Sequence, residues 1–165
     1  MPGDADTQAI VPAVVPNDVP DDVPDDVPDD VPDDVPDGFT RHFRRSPLTD
    51  PWEPLFSSRS DQAIVLAVKL DKAHTNARGF AHGGLITALA DNAMGLSCGM
   101  QFAEPRSLVT VNLSIDFLSV ARIGQWLHFE TAFTKVGSTL CFAQAFVTAD
   151  GVACARANAT FRALQ

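Results

Sequence analysis

The stretch NARGFAHGGLITALADNAMG, residues 76–95, sets His82, Gly83 and Gly84 at the head of an apolar run with one carboxylate, Asp91, in its middle. The run has helical spacing and continues to about Met100. Steps of three and four from Gly84 collect Gly84, Ala88, Asp91, Gly95 and then Cys98 or Gly99, a stripe that is small except for the aspartate. Ile86, Leu89, Ala93, Leu96 and Met100 make the opposite face, suited to filling the concave side of a sheet. A carboxylate among apolar neighbours is costly unless it is paired or useful. Asp91 therefore either faces solvent beside Asn92 or performs chemistry.

Outward from this helix, the period changes. AIVLAVKL (63–70) alternates as a strand, with Ile64, Leu66, Val68 and Leu70 on one side. HTNARGFAHGG (74–84) then forms a loop into the helix. In VTVNLSIDF (109–117) strict alternation puts Val109, Val111, Leu113, Ile115 and Phe117 on one face and Thr110, Asn112, Ser114 and Asp116 on the other. Three more strands are expected near 125–135, 139–148 and 152–162, joined by turns at Gly137-Ser138 and Asp150-Gly151. The last strand would set Ala153, Ala155, Ala157 and Ala159 on one face. Residues 39–60, with Pro47, Pro51 and Pro54, read as an irregular lead-in with a short helix. Short turns make antiparallel neighbours. The expected class is α+β, an antiparallel sheet wrapped around one long central helix.

Residues 1–38 differ in kind. VPND, four copies of VPDD and VPDG repeat with a period of four, carrying 12 Asp and no Lys or Arg. Regular proline and repelling carboxylates leave too little apolar surface to offset chain entropy. A disordered acidic tail that packs against nothing is expected over 1–38, and one domain over 39–165. The chain's formal net charge of −9 hides this division, because residues 39–165 carry 9 acids and 12 bases, a formal +3. No basic run interleaves with aromatics, which argues against nucleic acid. Such a charge suits a small anionic ligand as well as an ordinary surface. Cys98, Cys141 and Cys154 are an odd set without a CxxC pair, as expected of reduced core thiols in a cytoplasmic protein. The opening MPGDADTQ has no positive n-region, and no run suggests a membrane span.

HTNARGFAHGGLITALADNAMG with LVTVNLSIDFLSVARIG (108–124) resembles the PaaI-like acyl-CoA thioesterases of the hotdog-fold superfamily. That pattern runs H-x-N, G-x-x-HGG, an Asp nine positions after the His, then V-[ST]-V. KVGSTLCFAQAFV (135–147) and DGVACARANATF (150–161) also fit, so the likeness spans about 37–165. Ser119-Val120-Ala121 departs from it by lacking a proline, and the acidic repeat has no counterpart there. The resemblance implies hydrolysis of an acyl-CoA to free acid and CoA by a homodimer, assembling to a homotetramer, with sites composed from two subunits and no cofactor.

Thioester hydrolysis needs an attacking oxygen and preformed donors for the developing oxyanion. The Gly83 N–H, in the first helical turn where donors are unpaired, can supply one. The resemblance assigns that role to the same glycine and makes Asp91 nucleophile or general base, roles that a partly buried carboxylate suits. Asn76 would hold a water or a carboxylate oxygen through its amide, and Thr110 would help orient the water. His82 is either a donor to the thioester carbonyl or a cap for the turn. His42, His74 and His128 lack partners at metal-binding spacing, and no base is placed to activate Cys98. Arg78, Arg106, Arg122, Lys135 and Arg156 are candidates for the phosphates of CoA. The alternative is a non-catalytic acyl-CoA-binding hotdog module, which would not need Asp91. A dehydratase would want a His five residues after the Asp, where Leu96 stands. With no tyrosine in the chain, Phe, Trp, Leu and Met must line the pocket, suiting aryl or medium aliphatic acyl groups alike.

Overall fold

The computed structural model describes residues 32–164. The repeat copies before Pro32 lie outside the described residues. Seven strands and one long helix follow: β1 (Thr40–Arg41), β2 (Phe56–Arg59), β3 (Ile64–Lys69), α1 (Gly83–Gly99), β4 (Leu108–Phe117), β5 (Trp126–Val136), β6 (Leu140–Ala149) and β7 (Val152–Ala163). The strands form one antiparallel sheet in the order β1-β2-β3-β5-β6-β7-β4. The chain leaves β3, runs through α1 and joins the far edge as β4, so the helix lies along the concave face. This is the hotdog arrangement. The lead-in holds two strands, β1 and β2, beside a short 3-10 turn at Asp50–Trp52. Short strands between prolines carry too little alternation to be seen in the sequence.

Leu85, Ile86, Leu89, Ala90, Ala93, Met94, Ser97 and Cys98 are the buried residues of α1. The four large apolar ones contribute about 1.5–3 kcal/mol each relative to exposure. Leu96 and Met100, expected against the sheet, are half-buried at its border instead, so the buried face is rotated from the expected stripe. Asp150 and Gly151 both take positive φ, 47° and 82°, the primed-turn geometry that Asp-Gly supplies between β6 and β7.

Two bulges correct the strict alternation. In β4, Thr110 pairs with Phe161 but Asn112 with Thr160, so Val111 is an inserted residue. Thr110 therefore shares the helix-facing side with Leu113 and Ile115 rather than the side of Ser114 and Asp116. Val109 and Val111 are left exposed. In β7, Val147 pairs with Ala155 and Thr148 with Ala153, so Cys154 is the extra residue and Ala153 leaves the alanine face. Ala155, Ala157 and Ala159 are buried as expected.

A second, smaller apolar cluster lies on the opposite face of the sheet. Phe56, Ala67 and Trp126 are buried there, with Val35 and Phe39 packed on them. The expectation that the repeat packs against nothing therefore fails at its C-terminal end. Asp34 accepts from Lys69 Nζ at 2.6 and 2.7 Å and from the Trp126 indole N–H at 3.3 Å.

Candidate active site

The loop ahead of α1 is tied down by its own polar groups. His74 is buried, its Nδ1 accepting from the Asp71 N–H and its Nε2 donating to the Trp52 carbonyl. The Asn76 N–H donates to the Phe80 carbonyl, while its side-chain oxygen accepts from the Arg78 and Phe80 N–H groups at 2.9 and 3.3 Å. Asn76 thus spends its oxygen on shaping the loop. Its amide nitrogen donates to no group among the described residues, so the expected amide role remains free to it.

His82 is the N-cap of α1. Its Nδ1 accepts from the Gly84 N–H at 2.9 Å, the cap alternative of the two foreseen. With Nδ1 accepting, the ring proton sits on Nε2 of an exposed imidazole. The two glycines have separate reasons to be small. A Cβ on Gly84 would meet the His82 ring at 3.0 Å, and one on Gly83 would meet Phe117 Cζ at 3.1 Å. Phe117, counted among the core-facing residues from the sequence, is 54% exposed and lays its ring over the start of the helix. Phe117 lies beyond the bulge, in phase with Leu113 and Ile115 and opposite Ala155, at the last position of β4.

Two turns along α1, the Thr110 hydroxyl donates to the Asp91 carboxylate at 2.9 Å to Oδ1 and 3.2 Å to Oδ2. Asp91 is half-buried. Burial raises its pKa above the usual carboxylate value, and the Thr110 hydrogen bond opposes that rise in part. A carboxylate so placed is more basic than one in water, yet keeps acceptor capacity for a further donor such as a water molecule.

The fold thus makes two groups from the five expected site residues. Asn76, His82 and Gly83 share the loop and first turn, while Asp91 and Thr110 share a hydrogen bond further on. Eight residues separate Gly83 from Asp91, about 12 Å of unbroken helix at 1.5 Å per residue. The phosphate candidates are unequal. Arg156 Nε donates to Asp116 at 2.8 Å, and Arg106 donates to the Ser138 carbonyl. Arg122 stacks over the Phe80 ring, 4.8 Å from its centroid, beside the site loop. The three cysteines are free and buried, and burial pushes the Cys98 thiol up to about 12, which leaves it a poor nucleophile at neutral pH. No trio of His, Cys, Asp and Glu among the described residues is grouped to hold a metal ion. Nor is any helix there long and apolar enough to cross a membrane.

The thioesterase superfamily model matches residues 78–155, from the site loop through the start of β7. A Pseudomonas aeruginosa protein named "Putative esterase" is 41% identical over 109 residues, 66% of this chain and 81% of that protein. The chain belongs to the thioesterase superfamily. Mouse acyl-coenzyme A thioesterase 13 is 32% identical over 93 residues, 55% of this thioesterase and 64% of the mouse protein. The phenylacetic acid degradation protein PaaI of Thermus thermophilus, in an N33D mutant structure, shares the hotdog fold. It superposes with a TM-score of 0.64 at 20% identity, covering 72% of this chain and all of that one.

Proposed function

We propose that this thioesterase hydrolyses acyl-CoA, with Asp91 of one subunit acting opposite the Gly83 N–H of a second. Thioester hydrolysis is the chemistry of the superfamily, and the relation to an acyl-coenzyme A thioesterase supports CoA as the carrier. One observation carries the two-subunit reading. A thioester carbonyl held at the Gly83 N–H cannot also lie about 3 Å from an Asp91 that is about 12 Å further along the same helix. A second copy presenting its helix alongside resolves the conflict.

The edge strand favours such a copy. β4 offers ten residues without proline or lysine, the usual devices that blunt an edge, and exposes Val109 and Val111. Pairing of two β4 edges would make one continuous sheet and bring the two helices side by side. Each composite site would then take Asn76, His82 and Gly83 from one chain and Asp91 and Thr110 from the other. We assign the catalytic unit to residues 39–165.

In the mechanism, the thioester carbonyl settles at the N-terminus of α1, where the Gly83 N–H and the helix dipole favour the oxyanion that develops. His82 fixes the turn through Nδ1, which leaves its Nε2–H as a candidate second donor. Asp91 takes the proton of an attacking water, or attacks the carbonyl itself, while Thr110 fixes the carboxylate. Collapse of the tetrahedral intermediate expels the CoA thiolate, which gains a proton and leaves as CoA. After attack by water the acyl group departs as free acid. After attack by Asp91 it stays as a mixed anhydride that water then hydrolyses to free acid and the Asp91 carboxylate. Arg122, beside the loop, is the cation best placed to meet a CoA phosphate.

Complementation tests the arrangement. Asp91→Asn and Gly83→Val are each made in the full chain, unfolded and refolded together, and assayed for thiol release from a panel of acyl-CoAs. Half the dimers should be mixed, each with one working site of two, so activity should approach about one quarter of wild type. No recovery in confirmed heterodimers would mean that each chain carries its own complete site.

A further inference from the structure

The acidic repeat, unused by the hydrolytic chemistry, ends on a built seat. β3 and β5 pair Lys69 with Trp126, which puts both side chains on the face of the sheet opposite α1. Lys69 and the Trp126 indole N–H both donate to the Asp34 carboxylate. The next residue, Val35, packs on the adjoining cluster of Phe56, Ala67 and Trp126. A cation and an indole donor beside an apolar floor select an acidic residue followed by a branched apolar one.

What this seat holds is not unique in the chain. Asp34-Val35-Pro36 is the last of five Asp-Val-Pro units, the others beginning at Asp18, Asp22, Asp26 and Asp30. Each presents the same two residues that the seat uses. Proline follows the valine in every unit, so the units are alike in sequence over all three residues. The anchor beyond the seat, Phe39, occurs once and packs on the same cluster. Moving an upstream unit into the seat therefore only lengthens the loop between seat and anchor. Doubling such a loop weakens closure by about threefold, a small factor against otherwise identical contacts.

We propose that the Lys69–Trp126 seat is a recognition site for Asp-Val-Pro and that the chain's own repeat units occupy it in exchange. The repeat is a series of interchangeable ligands for one receptor on the same molecule. Its last unit, Asp34-Val35-Pro36, is held on the face of the sheet away from the helix. Losing one unit leaves the seat filled by the next.

The indole N–H of Trp126 reports occupancy directly, and Trp52, the other tryptophan in the chain, serves as an internal reference. Nitrogen-15 spectra are recorded on the full chain, on Asp34→Asn, and on a variant with Asp18, Asp22, Asp26, Asp30 and Asp34 all replaced by Asn. The Asp34→Asn resonance should stay close to the wild-type position, because Asp30 takes the seat. The fivefold variant should show it displaced, with Trp52 unmoved. Adding the peptide VPDDVPDDVPDG to the fivefold variant should return the Trp126 signal saturably, more weakly at high salt. Equal displacement in the single and fivefold variants would overturn the exchange, since one fixed unit would then account for the seat. A fivefold variant indistinguishable from wild type, or a peptide without effect at millimolar concentration, would overturn recognition itself.

Discussion

Two of the polar side chains of helix α1, Ser97 and Asp91, have completely different surroundings. Ser97 is fully buried on the sheet side. Its hydroxyl accepts from the Ile64 N–H at 3.0 Å and lies 2.8 Å from the Ala93 carbonyl and 3.1 Å from Thr131 Oγ1. Asp91, on the opposite stripe, meets one side-chain donor among the described residues, Thr110. A group whose bonding capacity is used up by the fold is structural. A charged group left with spare capacity and a pKa raised by burial is a candidate for function.

The largest effect that would break this comparison belongs to Asp91. Asp91→Asn should lower thioester turnover by about a hundredfold or more, with the Michaelis constant little changed. Thermal stability should hold or rise, because the half-buried charge is what burial disfavours. Thiol-release kinetics beside a melting curve read both. A melting temperature that collapses with the activity would make Asp91 as structural as Ser97.

Ser97→Ala should do the reverse. The Ile64 N–H loses its acceptor inside the core, so stability should fall by about 1–3 kcal/mol in denaturant unfolding. Activity per folded molecule should stay within about twofold. A selective activity loss without destabilisation would erase the distinction between the two faces.

Thr110→Val sharpens the account of Asp91. The hydroxyl hydrogen bond stabilises the charged carboxylate and so lowers a pKa that burial raises. Removing it leaves burial unopposed. The acid limb of the rate profile, where Asp91 gains a proton and activity is lost as pH falls, should therefore move to higher pH. At the plateau the loss should be about tenfold or less, the scale of one hydrogen bond. A limb that moves toward lower pH, or stays in place, would separate Thr110 from the titration of Asp91.

How far the sequence carried these features depended on distance along the chain. The helix, its histidine cap and the later strands announce themselves within a few residues, through period, turn chemistry and the HGG triplet. The seven-stranded sheet was less legible at its start, where β1 and β2 are too short to show alternation. Thr110 was expected to orient a water from the polar face of its strand, and its bond to Asp91 was not foreseen, because one inserted residue at Val111 reverses the phase of everything before it. Phe117 over Gly83 and the seat for Asp34 depend on strand pairing between distant segments, and no local pattern encodes either. The eight residues between Gly83 and Asp91 are legible in the sequence and become a distance of about 12 Å once helix geometry is applied to them.

The smallest effect tests the stripe itself. By periodicity Gly95 belongs with Gly84, Ala88 and Asp91 on the open side. Yet a Cβ built on it would meet Phe161 Cε1 at 3.4 Å and Cζ at 3.7 Å, atoms of an inward-facing side chain of β7. Its smallness therefore answers the sheet of its own subunit rather than an approaching partner. The contact at the ring edge is near ordinary van der Waals distance, so Phe161 needs to yield only slightly. Against that stands the gain of replacing a mid-helix glycine with alanine, about 0.5–1 kcal/mol. Gly95→Ala should thus shift the melting temperature by no more than a few degrees and leave turnover within about twofold. If stability were kept and turnover fell as far as in Asp91→Asn, Gly95 would lie against a partner or substrate, and the open side of α1 would extend a full turn beyond Asp91.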